Sequence, residues 1–187
     1  MSTPLNLVAV SGSTGRPSRT LALTEALIEE LGQHVALNSQ IIELGNIARP
    51  LGGALWRSEL PETVEHELRA IEAADVLLVA TPVYRGTYPG LFKHLFDLIG
   101  QDSLIDTPVL LAATGGSDRH ALVLEHQLRP LFSFFQALTL PIGVYASEAD
   151  FTDYRVSNPL LQARIALAAE RAAQVLVAPA QTLRRIA

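Results

Sequence analysis

Three short segments of the sequence combine glycine, hydroxyl and cationic or aromatic residues in patterns that suit ligand binding. The first follows an apolar run and reads Ser11-Gly12-Ser13-Thr14-Gly15-Arg16-Pro17-Ser18-Arg19-Thr20. Backbone N–H groups at a helix start attract anions, hydroxyl groups add donors, and Arg16 and Arg19 add positive charge. The segment lacks both the Gly-Lys-Ser/Thr ending of a Walker loop and the glycine spacing of the dinucleotide fingerprint. It predicts a site for a terminal monophosphate; the alternative is a turn that only caps a helix.

The second segment contains two tyrosines among proline, glycine and threonine. It reads Thr81-Pro82-Val83-Tyr84-Arg85-Gly86-Thr87-Tyr88-Pro89-Gly90. Amide groups of such a turn can bind the edge of a flat heteroaromatic ring while apolar or aromatic side chains cover its faces. The segment therefore predicts contact with a ring of this kind. The alternative is an ordinary turn whose tyrosines pack on the next helix.

The third segment is Thr114-Gly115-Gly116-Ser117-Asp118. Its two glycines would allow the backbone to approach a ligand closely. Ser117 or Asp118 would cap the helix that follows, and a capping role does not exclude contact with a ligand.

Strand-length apolar runs alternate with segments of helical periodicity along the chain. The sequence predicts five strands, at residues 5–10, 35–44, 76–80, 109–113 and 140–145. It predicts helices at residues 20–31, 61–73, 88–99, 118–135 and 160–177, and a loop at residues 45–60. We expect one domain over residues 1–187, with a frayed tail beyond about residue 179.

This alternation predicts an α/β fold with right-handed crossovers and a parallel sheet. The economical strand order is 2-1-3-4-5, with helices on both faces, which is a flavodoxin-like three-layer sandwich. Ligands of such folds bind beyond the carboxyl ends of the strands, where the strand order reverses. The three segments follow the first, third and fourth strands, so we expect them to meet in one crevice.

Composition excludes several classes of protein. The chain has 187 residues and no cysteine, so disulfides and thiolate metal sites are excluded, and its five histidines lack the spacing of metal ligands. A net charge of −5 without a basic run argues against nucleic-acid binding. The apolar runs are shorter than the roughly 20 residues of a membrane span, and no signal peptide is recognised. We expect a soluble, cytoplasmic protein without a metal.

Taken together, these motifs resemble those of the NAD(P)H-dependent FMN reductase family. Within it, the chain is most similar to the reductase components of two-component alkanesulfonate or methanesulfonate monooxygenases. The resemblance covers roughly residues 5–178 and rests on G-S-T-G-R-P-S-R-T, A-T-P-V-Y-R-G-T-Y-P-G-L-F-K-H-L-F-D-L and A-T-G-G-S.

The resemblance implies a role for each segment. The FMN phosphate would be held by Ser11, Arg16, Ser18, Arg19 and Thr20, with Ser13, Thr14 and Gly15 in the same loop. The isoalloxazine ring would be lined by Pro82, Val83, Tyr84 and Arg85, and its other edge by Thr114, Gly115, Gly116 and Ser117. No protein acid or base would be needed, because the flavin takes a hydride from NADH or NADPH. Reduced FMN would then leave for a partner monooxygenase.

The resemblance also implies a dimer or tetramer, formed through the helices after strands three and four. The charged fraction of only 18% agrees with a partly covered surface. Some relatives carry a one-residue π-bulge in the fourth helix, and His126 stands at about that place. Our hypothesis is that His126 marks such a bulge and tunes the tetramer or flavin exchange; the alternative is a surface or interface histidine in an ordinary helix.

Two other functions remain open at this point. A flavodoxin-type electron carrier would bind FMN without a nicotinamide site. A quinone or azo-dye reductase would retain its FMN through turnover. The sequence does not decide between NADH and NADPH.

Overall fold

The computed structural model describes residues 3–177, in which strands and helices alternate. The strands of the main sheet are β1 (Leu5–Ser11), β2 (Leu37–Glu43), β3 (Val76–Pro82), β4 (Pro108–Gly115), β5 (Leu138–Thr139) and β6 (Val144–Ser147). A small hairpin is formed by β7 (Phe151–Thr152) and β8 (Arg155–Val156). The helices are α1 (Arg19–Gly32), α2 (Leu44–Gly53), α3 (Glu62–Glu72), α4 (Gly90–Asp97), α5 (Arg129–Phe134) and α6 (Pro159–Leu176). The predicted frayed tail lies outside the described residues.

The main sheet is parallel and has the order β2-β1-β3-β4-β5, with β6 also paired to β4. This confirms the predicted order 2-1-3-4-5. Every residue of the central strand β3 is buried, as expected for a strand covered on both faces. The carboxyl ends of β1, β3 and β4 therefore lie side by side at one edge of the sheet.

Helices cover both faces of the sheet, which confirms the three-layer, flavodoxin-like sandwich. On one face, Leu23 and Leu27 of α1 pack with Ala169 of α6 against alternate residues of the strands. On the other face, α2 to α5 cover the remaining strand residues, and the rings of Phe92, Phe96 and Phe132 form a buried aromatic row. Adjacent ring centroids in this row are 5.0 Å apart.

The predicted loop at residues 45–60 is wrong for its first half, because α2 occupies Leu44–Gly53. Pro50, Gly52 and Gly53 had favoured a loop. Leu44, Ile47 and Leu51 are buried and lie on one face of the helix, so burial of this face outweighs the weak helix propensity of those residues. The remaining segment contains a 3₁₀ turn at Arg57–Glu59.

The predicted helix at residues 118–135 is interrupted. It consists of a 3₁₀ turn at Asp118–His120, a π-helix at Leu124–Leu128 that includes His126, and then α5. The Arg129 N–H donates to the Leu124 carbonyl, which is the i→i−5 bond of a π-turn. Pro130 follows in the first turn of α5 and has no N–H to continue an α-helical ladder through this point.

The predicted fifth strand at residues 140–145 is wrong for its first four residues, which are not in a strand. Two short strands on either side of them pair with β4 instead: β5 pairs with its beginning and β6 with its end. The intervening residues 140–143 contain Pro141, which cannot donate to a strand ladder. This division places Ser147, the last residue of β6, directly beside Gly115.

Within residues 3–177, no helix is both long enough and apolar enough to cross a membrane. The same residues contain no group of three or more His, Cys, Asp or Glu side chains that could hold a metal ion.

Candidate functional site

A crevice of about 230 Å³ lies at the carboxyl ends of β1, β3 and β4. It is lined by residues from all three predicted segments and from the chain that follows β6. The lining residues are Ser13, Pro17, Arg19, Thr20, Pro82, Val83, Tyr84, Thr114, Gly115, Gly116, Glu148 and Tyr154. We call this space the crevice throughout.

The first segment is held against β3, directly before the second segment, by a close backbone approach. The Gly12 N–H donates to the Ala80 carbonyl at 2.7 Å. A Cβ on Gly12 would lie 2.9 Å from the Phe92 ring and 3.2 Å from the Ala80 carbonyl oxygen, so only glycine fits here. Gly12 was not among the predicted site residues, although a glycine directly after a strand is a signal for such an approach.

The N-terminus of α1 opens at the end of this segment. Ser18 is the N-cap, and its hydroxyl accepts from the Leu21 N–H at 3.1 Å. The first turn of α1 contains no acidic residue. The free N–H groups and the helix dipole therefore make this end of the crevice attractive to an anion.

The two arginines of the first segment have different surroundings. The Arg16 Nε donates to Glu43 at 2.8 Å, and the exposed Arg16 side chain does not line the crevice. The pairing with Glu43 raises the pKa of Arg16 above its ordinary value. Arg19 lines the crevice, donates to Glu148, and has its guanidinium carbon 5.1 Å from the Tyr154 ring centroid. Of the two predicted cations, Arg19 is thus the one in the crevice lining.

The second segment forms a tight turn at the mouth of the crevice. The Tyr84 N–H donates to the Thr87 carbonyl at 2.7 Å, and Arg85 and Gly86 have φ of 53° and 95°. The Tyr84 ring is 48% exposed and lines the crevice. The second tyrosine, Tyr88, instead packs beside Phe92 with ring centroids 5.5 Å apart. Tyr84 is therefore free to contact a ring in the crevice, which stays a prediction, whereas the packing alternative describes Tyr88.

The third segment is tied to its neighbours by two side-chain hydrogen bonds. The buried hydroxyls of Thr114 and Thr20 are 2.7 Å apart, which joins β4 to α1. Tyr145 donates its hydroxyl to the Ser117 carbonyl at 2.6 Å. A Cβ on Gly115 would lie 2.1 Å from that hydroxyl oxygen, so glycine is required. Burial of the Tyr145 side chain raises the pKa of its phenol above the ordinary value.

The remaining predicted residues lie around the crevice rather than in its lining. Ser11 is buried at the end of β1, whereas Thr14 and Gly15 are exposed. Arg16 and Ser18 line an adjoining depression that also reaches Tyr154. Arg85 lies in a depression beside Val83 and Tyr84. Ser117 stands at the start of the 3₁₀ turn, but its side chain makes no capping bond.

Three lining residues were not predicted to be in the site: Pro17, Glu148 and Tyr154. Pro17 lies within the first segment, so its position in the lining follows from that of its neighbours. Glu148 and Tyr154 belong to the stretch after β6. The pairing of β6 with the end of β4 brings this stretch to the crevice.

The lining chemistry fits a phosphate ester joined to a flat ring. One end offers a helix N-terminus, hydroxyl groups and Arg19, and the other offers the Pro82–Tyr84 backbone opposite Gly115 and Gly116. A Cβ on Gly116 would meet nothing within 4 Å, so the space above this residue is open. The lining residues that could carry charge are Arg19 and Glu148, and its phenol groups are those of Tyr84 and Tyr154.

The sequence matches the family described as NADPH-dependent FMN reductase over residues 5–152. It is 73% identical to the NADH-dependent FMN reductase SfnE of Pseudomonas putida over 172 residues, which are 92% of each chain. It is 68% identical to an FMN reductase (NADPH) of Pseudomonas aeruginosa over 173 residues, covering 92% of this chain and 93% of the other.

The fold is similar to that of solved structures as well. A crystal structure of an oxidoreductase from Corynebacterium diphtheriae superimposes with a TM-score of 0.84 at 35% sequence identity. That match covers 94% of this chain and 98% of the other. These similarities confirm the resemblance that the three motifs indicated: the chain belongs to the NADPH-dependent FMN reductase family.

Proposed function

We propose that this chain is an NAD(P)H-dependent FMN reductase that supplies reduced FMN to a partner two-component monooxygenase. The observation that carries the proposal is the convergence of three sequence motifs on one crevice at the carboxyl ends of β1, β3 and β4. Membership of the FMN reductase family supports the same reaction. Relatives named for NADH and for NADPH are both close, so either nicotinamide is a candidate reductant.

In this proposal the crevice binds the phosphate and the ring of FMN at opposite ends. The phosphate lies at the N-terminus of α1, where Arg19, Thr20 and Ser13 are within the lining. Of the other residues of that loop, Ser18 caps α1 and Arg16 pairs with Glu43. Contact of the phosphate with Ser11, Thr14 and Gly15 stays a prediction. The ring lies between residues 82–85 and residues 114–117.

When bound, FMN supplies the redox chemistry, because its ring accepts a hydride from the nicotinamide. The chain's own residues bind the flavin and the nicotinamide and orient them relative to each other. The Val83 N–H donates to the Thr114 carbonyl at 2.7 Å, which fixes the second and third segments relative to each other. Holding two reactants in a fixed geometry is the main contribution that such a site makes to the rate. We assign no catalytic acid or base.

We propose further that the chain self-associates through α4 and the segment after β4. A groove of about 540 Å³ runs between these elements, and its lining includes Tyr88, Phe96, His126, Pro130, Leu131 and Phe134. The Phe134 side chain is 62% exposed and continues the apolar lining of this groove, and contiguous apolar surface of this kind marks interaction sites. His126 lies both in the π-helix and in this groove, which supports a role for the π-helix at a subunit contact.

The reaction is tested by supplying flavin-free protein with excess NADH or NADPH and increasing amounts of free FMN. We expect nicotinamide oxidation far beyond one equivalent of protein, at a rate that saturates with FMN. Oxidation that stops at one equivalent of bound flavin would indicate an electron carrier. Turnover of quinones without turnover of free FMN would indicate a reductase that retains its flavin. Because the proposed reductant is NAD(P)H, we expect the enzyme to act in the cytoplasm.

A further inference from the structure

Glu148 engages the cation that the proposed function assigns to the FMN phosphate. Its carboxylate accepts a hydrogen bond from Arg19, and both side chains line the crevice. The Tyr154 ring lies against the same guanidinium. Among the described residues of the lining, Arg19 is the one cation and Glu148 the one carboxylate. The anion-binding end of the crevice is therefore already neutralised by a side chain of the protein.

The backbone around Glu148 is firmly held. Glu148 follows Ser147, which is paired with Gly115 at the end of β4. The Ser147 N–H and hydroxyl both donate to the Asp150 carboxylate, at 2.6 and 3.0 Å, and Asn158 donates to the same carboxylate. Three donors thus satisfy Asp150, whereas the Glu148 carboxylate is directed to Arg19. The backbone position of Glu148 is therefore fixed by the pairing of β6 with β4 and by the hydrogen bonds between Ser147 and Asp150.

A phosphate monoester bound at the N-terminus of α1 would meet this carboxylate in two ways. It would compete with Glu148 for the Arg19 guanidinium, and it would be repelled by a like charge across a short distance. Arg19 and Glu148 are partly exposed, with 36% and 60% of their side-chain surface accessible, so solvent screening keeps both effects moderate. Riboflavin, which has the same ring and no phosphate, would experience neither effect.

We propose that Glu148 is an affinity-setting residue that weakens the binding of FMN through its phosphate. In the flavin-free protein the carboxylate occupies the anion position on Arg19, and an incoming phosphate must displace it. The inference rests on the proposed function, in which flavin enters and leaves during each cycle. A built-in competitor for the phosphate would keep the flavin exchangeable while the ring contacts are unchanged.

The test is a titration of the flavin-free chain with FMN and with riboflavin, followed by flavin fluorescence. Four proteins are compared: wild type, Glu148→Gln, Glu148→Asp and Glu62→Gln. In Glu148→Gln the amide oxygen of the new side chain can still accept from Arg19, so the fold is preserved. Glu62 is an exposed glutamate that pairs with Arg69 and is not part of the crevice lining, which makes it a matched control.

We expect Glu148→Gln to lower the dissociation constant of FMN about three- to tenfold and to leave that of riboflavin unchanged. The gain should shrink at about 1 M salt, where the Debye length is only about 3 Å. Glu148→Asp, which keeps the charge, and Glu62→Gln should bind both flavins as the wild type does.

An unchanged FMN dissociation constant in Glu148→Gln would overturn the inference. So would a raised one, since Glu148 would then position Arg19 for the phosphate and not compete with it. Equal gains for FMN and riboflavin would also overturn it, because the effect would lie at the ring. A wild-type chain that binds neither flavin would refute the proposed function itself, and the inference with it.

Discussion

Arg16 and Arg19 are three positions apart and of the same type, but their surroundings differ. Arg16 is held by Glu43 outside the crevice, whereas Arg19 lies in its lining. The sequence motif treats both as phosphate ligands. It could not separate them, because Glu43 stands 27 positions from Arg16 and becomes its neighbour only through the pairing of β1 with β2.

The first prediction follows from this difference. Arg19→Ala should raise the dissociation constant of FMN about ten- to hundredfold, because a charge-assisted hydrogen bond is worth about 1.5–3 kcal/mol. Arg16→Ala should have the smaller effect, and riboflavin binding should change little in either variant. The measurement is a titration of each variant with FMN and with riboflavin. If Arg16→Ala were the more damaging change, Arg16 would have to leave Glu43 and reach the phosphate.

Gly115 and Gly116 show how far a local sequence motif can predict the residues of the site. Gly115 and Gly116 were predicted from the motif, and the structure gives the two residues different reasons to be glycine. At Gly115 the hydroxyl of Tyr145 leaves no room for a side chain, whereas at Gly116 the open space belongs to the crevice. The first reason depends on a residue 30 positions away, and no local pattern contains it.

At the scale of elements, the periodic parts of the sequence were predicted well and the interrupted parts poorly. The strands β1, β3 and β4 and the helices α1, α3 and α6 follow from apolar periodicity. The errors fall around Pro50, Pro130 and Pro141, where apolar periodicity alone does not indicate the local structure. Burial of one face continues α2 through Pro50, whereas Pro130 and Pro141 lack the N–H that an α-helix or a strand ladder needs. Only the resemblance to the family suggested a π-bulge, at His126.

The second prediction concerns Arg57, which links the 3₁₀ turn after α2 to α3. Its guanidinium donates to Glu65 at 3.0 Å and to Glu72 at 2.9 Å, and Glu72 also accepts from the Gly100 N–H at 2.8 Å. The hydrogen bonds from Arg57 lower the pKa of both carboxyls below their ordinary value of 4.5. A lowered pKa in the folded state means that this stabilisation is present above about pH 4.5 and is lost as the pH falls through the folded-state values.

We therefore expect Arg57→Gln to lower the free energy of unfolding by about 1–3 kcal/mol at neutral pH and to flatten its decline in acid. Urea unfolding across the acid range measures both effects. Arg69→Gln is the control, because Arg69 also pairs with Glu65 but is 63% exposed and should contribute little. If the free energy of unfolding of Arg57→Gln fell with decreasing pH as steeply as that of the wild type, other carboxyl groups would dominate the acid sensitivity.

At the scale of the whole molecule, the surface around α4 and α5 is where we propose that a second copy of the chain binds. The groove between them combines buried aromatic rings with the exposed Phe134 and includes His126 of the π-helix. Apolar surfaces of this kind mark interaction sites in soluble proteins. The sequence could suggest an oligomer only through resemblance and low charge, since contacts between subunits leave no local pattern.

The third prediction is that Phe134→Asp reduces self-association, because a charge would be buried in an apolar contact. Sedimentation velocity should show a smaller species than the wild type. Leu160→Asp is the matched control, since Leu160 is 79% exposed at the start of α6 and outside the groove. The same sedimentation coefficient in Phe134→Asp and wild type would place the subunit contact elsewhere or show that there is none.

The central claim is that FMN binds in the crevice. The most direct test is a substitution whose side chain fills the crevice. In Gly116→Val the new side chain would meet no protein atom near its Cβ, so it would occupy ligand space without disturbing the fold. Gly53→Val, at an equally open position on α2, is the control. The measurement is the FMN dissociation constant of each flavin-free protein by fluorescence titration. We predict that Gly116→Val loses most of its FMN affinity while Gly53→Val keeps it. Wild-type affinity in Gly116→Val would contradict the account and place the flavin outside the crevice.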